Sequence, residues 1–134
     1  MERIRLCWSV SPDTKSLIIL IVEDDRDLRE FYRSALAAEG YAVVAVEDGF
    51  DALRVIDGAT LPTAVVLDLE LPRLGGRDVY RELRDHAETS IIPIVIVTGS
   101  DTRDLDPAHF ACILKKPISA DALIQAVRRC IRKR

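Results

Sequence analysis

The chain has 134 residues, enough for one domain around one core, and its 31% charged and 49% hydrophobic content is that of an ordinary globular protein. A net charge of −3 supplies no overall basic field for direct DNA binding, no apolar run approaches the roughly 20 residues that span a bilayer, and the N-terminus lacks a signal-peptide apolar region. Three cysteines, Cys7, Cys112 and Cys130, show no CxxC or Cys/His spacing, which argues against metal–thiolate and disulfide frameworks and fits a reducing cytoplasm.

Residues 1–16 read as an N-terminal extension. Ile4, Leu6, Trp8 and Val10 alternate with polar or small residues before a Ser-Pro-Asp turn, the pattern of a short extra strand or of a loosely held leader. Leu17–Val22 is apolar at every position, so it reads as a strand buried on both faces. It runs into Glu23, Asp24 and Asp25. Asp25 suits the N-cap of a helix over Asp27–Glu39, with Leu28, Phe31, Tyr32, Ala35 and Leu36 on its apolar face and Gly40 as its stop. Tyr41–Val46 is a second strand, and Phe50–Asp57 a short helix ended by Gly58.

Ala64–Leu67 is the central strand, bounded by turn signals and ending in Asp68. Leu69, Glu70, Leu71, Pro72 and the pair Gly75–Gly76 follow, and Gly76 opens a helix with Val79, Tyr80 and Leu83 as its stripe. Ile94–Val97 is a fourth apolar strand running into Thr98, Gly99 and Ser100. The polar stretch to Phe110 is interrupted by Pro107, so any helix there is short. Cys112–Leu114 is a brief fifth strand before Lys115, Lys116 and Pro117. Ser119 caps a last helix carrying Leu123, Ile124, Val127 and Ile131, and the basic RRCIRKR end complements that helix's dipole. Strands alternating with helices predict an α/β fold, a doubly wound five-stranded parallel sheet with right-handed crossovers.

Such sheets keep their sites outside the carboxyl ends of the strands. There the sequence sets Glu23 and Asp24, Asp68, Thr98 and Lys116. Three carboxylates suit one hard divalent cation, Mg²⁺ before others, and a lysine and a hydroxyl beside it suit a phosphoryl group. Each residue alone has a bland reading, such as turn residue, helix cap or surface cation. Together they do not.

The pieces LIILIVEDD, VVLDLELPRLGG, IVIVTGS and LKKP, in this order, resemble the receiver domains of bacterial two-component response regulators, over about Leu17–Ile131. The resemblance implies a flavodoxin-like sheet of order 2-1-3-4-5 and a receiver domain over 17–134, of the stand-alone, single-domain type. It implies Asp68 as phosphoacceptor for a histidine kinase or histidine phosphotransfer protein. The implied Mg²⁺ ligands are Asp24, Glu23 mainly through water, Asp68 and the backbone carbonyl of Glu70. Thr98 and Lys116 would bind the phosphoryl oxygens, and Pro117 would follow a cis peptide bond. The implied function is signalling rather than enzymatic turnover, by a conformational change read by a downstream protein target, with the first helix and the loop around Pro117 docking the kinase. No membrane partner is implied.

Two departures stand out. Ile113 occupies the position, three before the lysine, where relatives carry a switching Tyr or Phe. The stretch from Thr98 to Lys116 is short, so the fourth helix is expected to be short or missing and the usual dimer face doubtful. Gly75 stands where many relatives have an acid, and the Glu70 side chain is expected to tune phosphoryl lifetime. Both main departures support an alternative, a pseudo-receiver that binds partners without being phosphorylated. The five site residues argue for the phosphoacceptor. A phosphatase with an aspartate nucleophile lacks the rest of its pattern, and a flavin-binding domain lacks a phosphate-cradling loop after the first strand.

Overall fold

Strands apolar on both faces persist only in a sheet covered by helices on both sides, and the chain builds one. A computed structural model describes residues 17–58, 60–106 and 110–132, so the readings of residues 1–16 and Pro107 lie outside the described part. The elements in order are β1 (Ile18–Val22), α1 (Arg26–Ala38), β2 (Ala42–Val46), α2 (Gly49–Ile56), β3 (Ala64–Leu67), α3 (Gly76–Asp85), α4 (Ala87–Ser90), β4 (Ile94–Thr98), β5 (Cys112–Lys115) and α5 (Ala120–Arg132). The five strands form one parallel sheet in the order β2-β1-β3-β4-β5, the expected flavodoxin-like arrangement.

Alternation along the strands divides the core into two layers. Ile19, Ile21, Ala64, Val66, Val95 and Val97 face α1 and α5, where Tyr32, Leu36, Leu123, Ala126 and Val127 meet them. Leu20, Val22, Val65, Leu67, Ile94 and Ile96 face α2 and α3, against Ala52, Ile56, Val79 and Leu83. Each fully buried aliphatic side chain contributes about 1.5–3 kcal/mol of transfer free energy, so the three central strands dominate the core. The edge strands β2 and β5 are only partly buried.

Local chemistry sets the ends of the elements. Asp25 caps α1 by accepting the Leu28 N–H at 3.0 Å, and Asp48 caps α2 by accepting the Asp51 N–H at 2.9 Å. Ser119 does the same for α5 through the Ala122 N–H at 3.1 Å. Gly40, with φ of 97°, stops α1 in the left-handed region.

Two features differ from the sequence expectation. Phe31, assigned to the buried face of α1, is 43% exposed. The helix buries the stripe through Tyr32 and Leu36, and Phe31 lies beside it, its ring centroid 5.9 Å from that of Tyr32. The helical turn α4 was not anticipated; the buried Thr89 hydroxyl donates to the Leu83 carbonyl at 2.6 Å and folds the turn back onto the end of α3. Between β4 and β5 no helix forms among the described residues, at the short end of the expectation. Asp101 accepts the Arg103 N–H at 2.9 Å, a local turn that competes with helix formation.

Gly76 permits the closest approach that matters to the site. A Cβ there would lie 2.2 Å from the Asp68 carbonyl oxygen and 2.6 Å from the Leu69 Cα, both backbone atoms. Gly76→Ala is expected to cost about 2–3 kcal/mol in urea unfolding, by forcing α3 away from the end of β3. Gly99→Ala is the matched control, because its added Cβ would meet nothing within 4 Å; its unfolding midpoint should stay at that of the wild type.

Candidate functional site

Register brings the site together. Val22 pairs with Leu67 across β1 and β3, so the next residues, Glu23 and Asp68, leave the sheet side by side. Thr98 pairs with Lys115 across β4 and β5, and the Lys116 N–H donates to the Thr98 carbonyl at 3.0 Å. Carboxylate oxygens of Glu23, Asp24 and Asp68 lie within 4.8 Å of one another. Glu23 and Asp68 are buried, whereas Asp24 is exposed.

Lys116 closes this group from the β5 side. Its Nζ donates to Asp68 Oδ2 at 2.9 Å and lies 2.7 Å from Glu23 Oε1. Burial opposes the lysine's charge, but the Glu23 and Asp68 carboxylates outweigh it and hold its pKa above the ordinary lysine value. Glu23 is shifted the other way for a carboxylate. Burial raises its pKa, more than the Lys116 ammonium and the Asp25 N–H lower it. The remaining acceptors are partly satisfied by backbone: Glu23 Oε2 accepts the Asp25 N–H at 3.0 Å, and Asp68 Oδ1 the Glu70 N–H at 3.0 Å.

A hard cation fits these residues on their own chemistry. All the donors are carboxylate oxygens, and Glu23 Oε1 is buried with no well-formed hydrogen bond, only the charge of Lys116 beside it. Glu70 itself is exposed, its N–H turned to Asp68.

Thr98 is fully buried, and its hydroxyl is engaged by Ser100, 2.9 Å from that residue's Oγ and accepting its N–H at 3.2 Å. Ile113 is half-buried on the α2/α3 side of the sheet, packed with Leu105 and Phe110. The Lys116–Pro117 peptide is cis.

Two arginines that the sequence reading did not single out shape the site. Arg29, on the first turn of α1, donates to the Glu23 carbonyl at 3.0 Å and the Asp24 carbonyl at 3.3 Å, holding the acidic loop from behind. Arg73, with φ of 63°, pairs with the buried Asp48 and ties the β3–α3 loop to the start of α2. Asp48 reads in the sequence only as part of the turn after the second strand; its roles as cap of α2 and as partner of Arg73 emerge in the structure.

Comparison with known proteins agrees with this geometry. A family model described as the response regulator receiver domain matches residues 19–128. The response regulator MprA of Mycobacterium sp. (strain KMS) is 36% identical over 119 residues, 86% of this chain and 50% of that protein. MprA of Mycobacterium tuberculosis is 35% identical over 122 residues, 88% of this chain and 52% of the relative. The chain thus spans about half the length of these curated relatives. Among solved structures, a sensor protein from Polaromonas sp. JS666 superposes with a TM-score of 0.79 at 28% identity, covering 87% of this chain and 97% of that one. A response regulator receiver protein from Sinorhizobium medicae WSM419 gives 0.75 at 26% identity, over 87% and 94%. With the carboxylate- and cation-bearing ends of β1, β3 and β5 gathered in one sheet of this order, and the family model matching most of its length, the chain belongs to the response regulator receiver domain family.

Proposed function

We propose that this receiver, spanning 17–134 behind the extension 1–16, accepts a phosphoryl group on Asp68 from a phosphohistidine of a histidine kinase or phosphotransfer protein, and signals through the resulting change of shape. The observation that carries this is the buried Asp68 carboxylate, bonded to Lys116 Nζ at 2.9 Å and grouped with Glu23 and Asp24.

In the proposed step an Asp68 oxygen forms a bond to phosphorus as the P–N bond to the donor imidazole breaks, and the electron pair leaves with that nitrogen. The product is an acyl phosphate, and no oxidant or reductant is needed. Such transfer is mostly positioning and charge neutralisation. The Glu70 N–H and Lys116 orient the Asp68 carboxylate from two sides, and the Lys116 ammonium compensates charge developing on the phosphoryl oxygens. Glu23, Asp24, Asp68 and the Glu70 carbonyl would hold Mg²⁺, which supplies further charge neutralisation when bound. Thr98 is the hydroxyl that would exchange Ser100 for a phosphoryl oxygen. The Glu70 side chain lies beside this site and is assigned to phosphoryl lifetime. A cytoplasmic setting is proposed for the receiver, and no helix among the described residues is long and apolar enough to cross a membrane. The downstream target is taken to be a protein.

Intact mass after incubation with acetyl phosphate and Mg²⁺ tests the reading. A single phosphoryl adduct is expected, absent when EDTA replaces Mg²⁺ throughout the incubation and absent in Asp68→Asn. Lys116→Ala should slow its formation about 100-fold, the usual loss when one preorganised charge partner is removed. Absence of an adduct in the wild type would favour a pseudo-receiver that only binds partners, the reading that Ile113 and the short Thr98–Lys116 stretch support.

The same geometry predicts a stability effect. Lys116→Met leaves Glu23 and Asp68 buried and facing each other without their cation. It should lower the unfolding free energy by about 3 kcal/mol in metal-free buffer. Millimolar Mg²⁺ should recover part of that loss, which urea titrations with and without the ion would show.

A further inference from the structure

The β4–β5 connection, helix-free among its described residues, leans on α3. Arg77 in the first turn of α3 donates from Nε to Asp104 Oδ2 at 2.9 Å and from Nη2 to Asp104 Oδ1 at 2.8 Å. The same Nη2 reaches the Asp101 carbonyl at 3.2 Å. One turn along the helix, Tyr80 meets Phe110 at the far end of the connection, with ring centroids 4.8 Å apart. Leu105 and Ile113 pack against the same buried cluster as Leu74, Tyr80 and Phe110. One helix therefore grips both ends of this segment.

The near end of the segment begins at the site. Thr98 is bonded to Ser100, and the Lys115 ammonium clamps the Ser100 carbonyl at 2.7 Å and the Gly99 carbonyl at 3.4 Å. Asp101 is only three residues on from Thr98, a reach of at most about 11 Å. If Thr98 leaves Ser100 for a phosphoryl oxygen, the change arrives at the Arg77 fork within those three residues. Ile113 has neither the size nor the polar tip to carry it along β5. Nor does the described connection offer a helix of its own to carry it.

We propose that α3 is the output element of this receiver: the Arg77 fork on Asp104 and the Asp101 carbonyl, with the Tyr80–Phe110 contact, couples the position of Thr98 to α3. This rests on the phosphoacceptor reading above. The chemistry suits a latch. The Arg77–Asp104 pair is solvent-exposed, so breaking it costs little. Its two parallel N–H···O bonds nevertheless define one orientation of the segment while it is closed. The apolar contact of Tyr80 and Phe110 then sets how far the segment can swing before α3 must follow.

Amide spectra of the full chain by ¹H–¹⁵N NMR, with and without Mg²⁺ and beryllofluoride, test this in the wild type, Arg77→Ala, Asp104→Ala and the charge-swapped Arg77→Asp/Asp104→Arg. In the wild type, shifts on adduct formation should extend from Asp68, Thr98 and Lys116 into Arg77–Leu83. Each single variant should keep the shifts at Asp68 and Lys116 and lose most of those from Val79 to Leu83, and the swapped pair should restore them. Full α3 shifts in both single variants would overturn the coupling alone, as would a wild-type response confined to the site and α5, or a swapped pair as silent as the single variants. No response at Asp68 in the wild type would overturn the phosphoacceptor reading, and the coupling with it.

Discussion

Two buried carboxylates leaving adjacent strands side by side are unfavourable unless a cation stands between them, and the site depends on how that is met. Lys116 meets it, from the end of the strand farthest in sequence from Glu23. Both acids raise the pKa of its ammonium, and the ammonium in turn lowers that of Glu23 against the burial that raises it. Sheet order makes the meeting possible, because only β3 and β4 lie between β1 and β5 in the sheet, and the strand ends form one rim. The rim is thus poised around missing positive charge. Lys116 supplies one positive charge against three carboxylates, the condition under which a divalent cation and then a phosphoryl group have somewhere to go.

The loops that carry this rim are fixed by pieces outside it. Arg29 pins the carbonyls of the acidic loop, Arg73 and Asp48 join the β3–α3 loop to α2, and Gly76 lets α3 begin against the Asp68 backbone. Against that frame the described residues after Thr98 are held mostly by side-chain interactions and one local turn, with an apolar footing at Leu105 and Phe110. Elements that must move are drawn from such lightly held segments. All four strands of the site are paired in the sheet, so it is the connection after Thr98, and not β4 or β5 themselves, that is lightly held among its described residues.

Much of this was legible in the residues. Apolar runs marked the four long strands, and Asp25, Ser119 and Gly40 marked helix ends, because burial on two faces and satisfaction of terminal N–H groups are local demands. The acids, threonine and lysine could be proposed as one site because strand ends in a parallel sheet share an edge. Phe31 shows the limit of that reasoning. Its spacing fits the apolar face of α1, but whether a residue at the margin of a stripe is covered depends on the width of the neighbouring helix. The turn α4 was hidden for a similar reason, since it rests on the Thr89 hydroxyl finding a carbonyl at the end of α3.

The sequence by itself determined the strands, the helix caps, the family and the five residues at the strand ends, since each follows from periodicity, capping chemistry or contiguous motifs. Only the tertiary structure decided the partners of the long cationic side chains. Arg29, Arg73 and Arg77 look like ordinary surface residues in the chain, yet each holds a loop. The same holds for the hydroxyl of Thr98, turned to Ser100, and for the connection after it, which packs on α3. A flexible side chain of several bonds can reach many groups, and only the placement of distant backbone selects one.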